Sequence, residues 1–263
     1  MKSAANSIWR WCLNSVTGPS HESEERGCED VCGIGVTDQS SGLLLMAISD
    51  GAGSAAFARE GAEIVVDSWM KHFSSLLSSS PDPTRAVQHL SRSSVEALLR
   101  VIRREVDRRA VELGCEVSDF SATLLGAVVS PEASFIAQVG DGCWVGEVDG
   151  VVGCLTWPVQ GEFASQTHFA ISDSAPAVLQ CAQVPAGLSA LAGFTDGVER
   201  LALHFASKIP EKEFFRPLFD AVHVHEQMAE PGIRAFLNSE RIRTLSDDDK
   251  TLLILVRNDR GLR

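Results

Sequence analysis

The stretch Leu43 to Val66, LLLMAISDGAGSAAFAREGAEIVV, constrains the chain more than any other. Leu43 to Ile48 is an unbroken apolar run, the mark of a strand buried on both faces. It stops at Asp50-Gly51, and Ala52-Gly53-Ser54 then leads into a helix with Phe57, Gly61, Ile64, Val65 and Trp69 on one face. A buried strand thus delivers one carboxylate to its end, beside a glycine that leaves its backbone carbonyl open to a ligand. Hard cations such as Mg²⁺ or Mn²⁺ take that oxygen pair. Asp-Gly is also an ordinary turn dipeptide, so other carboxylates in matching settings must decide.

A chain of 263 residues can bury a substantial core, and nothing marks a linker or an internal repeat, so one domain is expected. Its hydrophobic content of 44% and charged content of 22% are those of a soluble globular protein. The net charge of -12 argues against nucleic acid or an anionic membrane as the main partner, since both are bound through clustered Lys and Arg. No apolar run approaches the ~20 residues of a membrane span. The N-terminus lacks an apolar signal core with a cleavage site, and a cytoplasmic location is expected. The seven cysteines form no CxxC pair. Cys28 and Cys32 have no second thiol or histidine pair nearby, so zinc is disfavoured and buried free thiols are expected.

Taken in order, residues 1–17 read as a lead-in edge strand, followed by the polar loop Gly18 to Asp30 and a strand Val31–Val36. In an antiparallel hairpin with the Leu43 strand, Glu29-Asp30 and Asp50 lie side by side. Asp82 caps a helix with Pro83 at its first position, and the helix is predicted to run unbroken to about Leu113. Its arginines, Arg100 to Arg109, read as a solvated face. Strands at 121–129, 134–139, 143–148 and 151–155 predict an antiparallel meander, with Asp141 as a turn former. Residues 156–185 carry no defensible periodicity. Leu188–Phe194 repeats the first arrangement: apolar strand, Asp196-Gly197, helix. Further helical segments follow, with Pro217 as an interruption, and His223 and His225 two apart cannot share a metal on a helix. Asp247-Asp248-Asp249 precedes a last strand, Thr251–Val256. Adjacent carboxylates repel unless a cation lies among them.

Acids therefore flank apolar strands at Glu29-Asp30, Asp50-Gly51, Asp196-Gly197 and Asp248. With Asp119 to Thr123 and Val139-Gly140-Asp141, the order of these motifs resembles the metal-dependent protein serine/threonine phosphatases of the type 2C family. The resemblance covers about residues 18–256, and Gly18-x-Ser20-His21 followed by Cys28-Glu29-Asp30 is similar to a bacterial branch. It implies an α+β fold, a four-layer αββα sandwich of two antiparallel β-sheets flanked by helices. It also implies two Mn²⁺ or Mg²⁺ ions, with Asp50 bridging and Asp196 and Asp248 completing one site. The Gly51 carbonyl with Glu29 and Asp30 serves the other, and Asp119 matches the ligand of a third, weaker ion. Such ions lower the pKa of a water and neutralise charge on a phosphoryl group.

The implied substrate is a phosphorylated protein, with a serine/threonine kinase as the opposing partner. Two departures stand out. The family's phosphate-binding arginine lies five residues before the aspartate of the acidic pair, where this chain has Glu25 and Arg26 comes one residue late. That displacement leaves Arg26, from a shifted loop, or His21 for anion binding, with Arg26 pairing only with Glu24 or Glu25 as the other reading. The Asp-Gly-His of eukaryotic members is Asp50-Gly51-Ala52 here, which leaves water or His21 to protonate the leaving group. A phosphatase-like phosphoprotein-binding module of low turnover, and a two-metal hydrolase of another phosphoester, are the competing readings.

Overall fold

The computed structural model of the chain describes residues 8–38, 41–159 and 167–259. Two antiparallel sheets are stacked. One runs β1 (Trp9–Val16), β12 (Lys250–Arg257), β9 (Leu188–Phe194), β6 (Cys143–Val148), β7 (Val151–Cys154). The other runs β2 (Val31–Asp38), β3 (Leu43–Ser49), β4 (Leu124–Val129), β5 (Ala133–Val139), β8 (Gln180–Pro185). A small hairpin pairs β10 (Leu203–His204) with β11 (Ile209–Pro210). Helices α2 (Ala58–Ser78) and α4 (Arg92–Leu113) cover the outer face of the second sheet. Helices α6 (Asp196–Ala202) and α7 (Lys212–Leu237) cover the first. Short turns α1 (Pro19–Ser23), α3 (Pro83–Ala86), α5 (Ala175–Val178) and α8 (Glu240–Arg243) lie in the connections. The four-layer αββα sandwich is as expected.

Burial on both faces explains the unbroken apolar strands. In β3, Leu43, Leu45 and Ala47 pack with Trp69, Phe73 and Ile102 of the helices, while Leu44, Met46 and Ile48 meet Trp144, Leu253 and Leu255 across the sandwich. Side chains alternate along a strand, so a sheet covered on both sides needs apolar residues at every position. No helix among the described residues is long and apolar enough to cross a membrane.

Several local expectations are corrected. The helix from Pro83 is not continuous. It ends after a 3₁₀ turn at Val87–His89, and α4 restarts at Ser91, whose capping box with Ser94 satisfies the first turn's amides. Pro217 does not interrupt α7, which also contains Pro231. A mid-helix proline costs ~3 kcal/mol, but Phe215, Phe219 and Val222 on the same helix are fully buried, at ~1.5–3 kcal/mol each. Of the cysteines only Cys12 and Cys143 are buried, and Cys181 is exposed. Within residues 156–185 the structure adds α5 and β8, whereas 160–166, and the side chain of His225, lie outside the described residues.

The meander is also corrected. β4 pairs with β5 and β6 with β7, but β5 and β6 belong to different sheets. Gly140, at φ +119° in the left-handed region, turns the chain across the sandwich. Asp141 is thereby placed at the rim between the sheets.

Candidate functional site

Strand register brings the distant acids to that rim. Val31 pairs with Ser49, so Asp30 and Asp50 lie just beyond adjacent strand ends. Leu252 pairs with Phe194, and the Thr195 amide donates to the Thr251 carbonyl (3.2 Å), which sets Asp196 beside the start of β12. At Gly197 an added Cβ would lie 1.9 Å from the Asp249 carbonyl oxygen, so only glycine lets this loop approach β12 so closely. Asp50 is fixed by Thr123, which accepts its amide (2.9 Å) and donates its own amide to the Asp50 carbonyl (2.8 Å).

A cavity of about 500 Å³ opens there, lined among others by Asp50, Gly51, Asp141, Asp196, Asp248, His21 and Arg26. Oxygens of Asp50, Asp141 and Asp196 all lie within 4.8 Å of one another. Burial holds the Asp50 carboxyl well above the usual carboxylate range, and Asp30, Asp196 and Asp248 push it further. Asp196 is raised by burial and then by Asp141, Asp248 and Asp30. Burial also raises Asp141 and Asp248. Asp30 is buried below the cavity, accepting from Thr195 Oγ1 (2.8 Å), and burial chiefly lifts its carboxyl to about 7.

Whether this set suits divalent cations can be read from its unmet needs. Buried oxygens of Glu29, Asp30, Asp141 and Asp196 have no hydrogen-bond partner among the described residues. Carboxylates crowded together, desolvated and unpaired are costly unless a cation joins them. The donors are all oxygen, the preference of Mg²⁺ and Mn²⁺. The residues fit.

The other expected residues are placed differently. Glu29 is not in the cavity lining but lies behind Arg26, its Oε1 taking two hydrogen bonds from that side chain (2.6 and 3.2 Å). Arg26 also donates to Glu24 (3.1 Å) and to the Gly53 carbonyl (3.2 Å). His21 is held by Asp249, with Nδ1 3.0 Å from Oδ2, and its Nε2 lies 3.7 Å from Glu29. Asp119 is not in the cavity lining; its Oδ2 accepts the Glu116 amide (3.0 Å), capping the 3₁₀ turn Val117–Phe120.

Two residues of the site escaped the sequence reading. Asp141 was assigned to a turn, and its motif, Val139-Gly140-Asp141, was the available signal. Asp249 had none, because three successive aspartates look alike until one of them is buried. Its carboxylate, 2% exposed, accepts the Gly18 amide (2.7 Å) and the Glu29 amide (2.6 Å) as well as His21.

A four-layer sandwich with an all-oxygen acidic cluster at one rim is the frame of a protein that can hold divalent cations. The profile of the family described as protein phosphatase 2C matches residues 17–239, and the chain belongs to that family, the metal-dependent phosphatases of serine and threonine phosphoproteins. It is 31% identical over 254 residues to serine/threonine-protein phosphatase 3 of Escherichia coli (strain K12), covering 94% of this chain and 97% of that one. Its fold is similar to the Mycobacterium tuberculosis serine/threonine phosphatase PstP/Ppp, with a TM-score of 0.62 at 14% identity over 95% of this chain and 99% of that one. RsbX in complex with magnesium gives a TM-score of 0.59 at 12% identity, over 97% and 98%.

Proposed function

We propose that this chain dephosphorylates phosphoserine and phosphothreonine in cytoplasmic proteins, opposing a serine/threonine kinase, with two Mn²⁺ or Mg²⁺ ions. The observation that carries this reading is the convergence of Asp50, Asp141 and Asp196 within 4.8 Å in one cavity, with no cationic side chain among the described residues paired to them. Asp50 has Asp30, Asp196, Asp248 and Asp141 as its charged neighbours, and would hold the ions together with them. Asp196, Asp248 and Asp141 would complete one site, and the Gly51 carbonyl with Glu29 and Asp30 the other. A third ion at Asp119 would share that carboxylate with the Glu116 amide, which its Oδ2 accepts. The bound pair supplies Lewis acidity, acidifying a water and neutralising phosphoryl charge.

The chain's own groups do the rest. Thr123 holds the Asp50 backbone through its amide and carbonyl, and Thr167 donates to the Asp141 carboxylate (2.5 Å), which sets where each residue meets the cavity. His21, fixed through Nδ1, presents Nε2 to the cavity as proton donor to the leaving serine or threonine oxygen. Arg26 stands at the mouth as a cation already engaged by Glu29 and Glu24.

The test is hydrolysis of p-nitrophenyl phosphate and of phosphopeptides with Mn²⁺, with chelator, and by Asp50→Asn. Metal-dependent turnover lost in the variant is expected. Tight phosphopeptide binding without turnover would make the chain a binding module instead. A strong preference for nucleotides would assign it another phosphoester.

A further inference from the structure

The cavity is rich in acids, yet a phosphoryl group arriving there needs hydrogen-bond donors. Most donors lining it are already committed. Arg26 has five N–H groups, and four hydrogen bonds to Glu29, Glu24 and the Gly53 carbonyl occupy its guanidinium. Ser20 Oγ donates to the Asp247 carbonyl (2.6 Å), Thr167 Oγ1 to Asp141, and the Ala52 amide to the Ser121 carbonyl (2.9 Å). One Arg26 N–H remains, and His21 Nε2 and the turn after Gly51 also keep capacity.

That turn is Ala52–Ala55, closed by the Ala55 amide donating to the Ala52 carbonyl (2.8 Å). Its two central residues, Gly53 and Ser54, line the cavity beside Asp50 and Asp248. Neither their amides nor the Ser54 hydroxyl have an acceptor among the described residues. The central amides of such a turn are not used to close it, and consecutive free amides form a concavity that binds anions.

The glycine supplies an independent observation. A Cβ added at Gly53 would meet no protein atom within 4 Å, and its φ is outside the left-handed region. The fold therefore has no need of glycine there, unlike at Gly51, where a Cβ would lie 2.5 Å from the Ala58 carbonyl oxygen. Bare backbone at a cavity wall permits close approach of a ligand.

We propose that the Gly53 and Ser54 amides with the Ser54 hydroxyl form the phosphoryl-binding nest of this enzyme, taking the place that the displaced Arg26 leaves open. The inference rests on the phosphatase reading for its ligand but is tested by binding as well as by turnover. The probe is inorganic phosphate, measured by calorimetry on the Mn²⁺-loaded protein and as a competitive inhibitor of p-nitrophenyl phosphate hydrolysis. Ser54→Ala removes the hydroxyl, Gly53→Pro removes an amide that makes no intramolecular bond, and Gly53→Ala crowds the approach while keeping it.

Each variant should weaken phosphate binding and raise KM by roughly tenfold, the scale of one lost hydrogen bond, with melting temperature and Mn²⁺ affinity unchanged. Phosphate affinity equal to wild type in Ser54→Ala and Gly53→Ala overturns the nest, whether or not Gly53→Pro folds. So does a loss that tracks a loss of Mn²⁺ affinity, which would place the effect at Asp50. Phosphate binding that falls in the variants of a protein without hydrolytic activity would keep the nest and remove the phosphatase. Unaltered binding in an active enzyme would do the reverse.

Discussion

His21 Nδ1 lies 3.0 Å from Asp249 Oδ2, joining positions 228 residues apart in the chain. The same buried carboxylate takes the amides of Gly18 and Glu29, so one side chain fastens the whole acidic loop to the start of β12. Asp249→Ala leaves those donors unmatched. It should cost about 2–4 kcal/mol of stability, read from the urea midpoint, and should lower Mn²⁺ affinity through the misplaced Glu29. Asp249→Asn, which keeps an acceptor oxygen, should lose less. Equal stability in all three proteins would contradict the clamp.

Asp141 tests the cluster itself. Asp141→Asn should reduce kcat at least about 100-fold, beyond the range of a lost outer-shell partner. It should nevertheless raise the melting temperature of the chelated protein, since a desolvated like charge is removed. A turn former would give neither effect. Differential scanning fluorimetry with and without Mn²⁺ separates the two.

The pH dependence of the chelated protein follows from Asp30, whose carboxyl is raised from 3.8 to about 7 by burial and its acidic neighbours. Between those values the folded protein holds a proton that the unfolded chain has released. Stability therefore falls as pH rises from about 4 to 7, by at most ~1.4 kcal/mol per unit for this group. Asp30→Asn should lessen that slope, leaving the share that Asp50, Asp141, Asp196 and Asp248 contribute in the same direction, and Mn²⁺ should stabilise the wild type most above pH 7. Urea unfolding at pH 5 and 8 measures both; a wild-type slope no steeper than that of Asp30→Asn would refute the prediction.

Arg26 is expected to matter little for the phosphate, because its guanidinium is held by Glu29, Glu24 and Gly53. Arg26→Ala should raise KM for p-nitrophenyl phosphate less than about tenfold and cost no more than ~1 kcal/mol, as for a partly exposed ion pair. A loss of a hundredfold in kcat/KM would restore it as the main phosphate ligand.

The elements that local chemistry specifies were legible in the sequence. β3 and β9 announced themselves as apolar runs, and each ended at an Asp-Gly that now faces the cavity. Asp82 and Pro83 started their helix as written, with Asp82 accepting the Arg85 amide (3.1 Å). Pro217 misled, because its local penalty is smaller than the burial of Phe215 and Phe219 against the sheet. Arg26 kept two readings open until its partners could be seen.

What the sequence determined by itself was alternation, capping and the order of the acid-bearing strand ends, since these depend on neighbours within a few residues. Tertiary structure alone decided that β5 and β6 part company at Gly140, that Asp141 joins Asp50 and Asp196, and that Asp249 turns inward while Asp248 faces the cavity. Those outcomes depend on which strands stack and which carboxylates lose their water. No short stretch of chain encodes that, because it is a property of the packed sandwich.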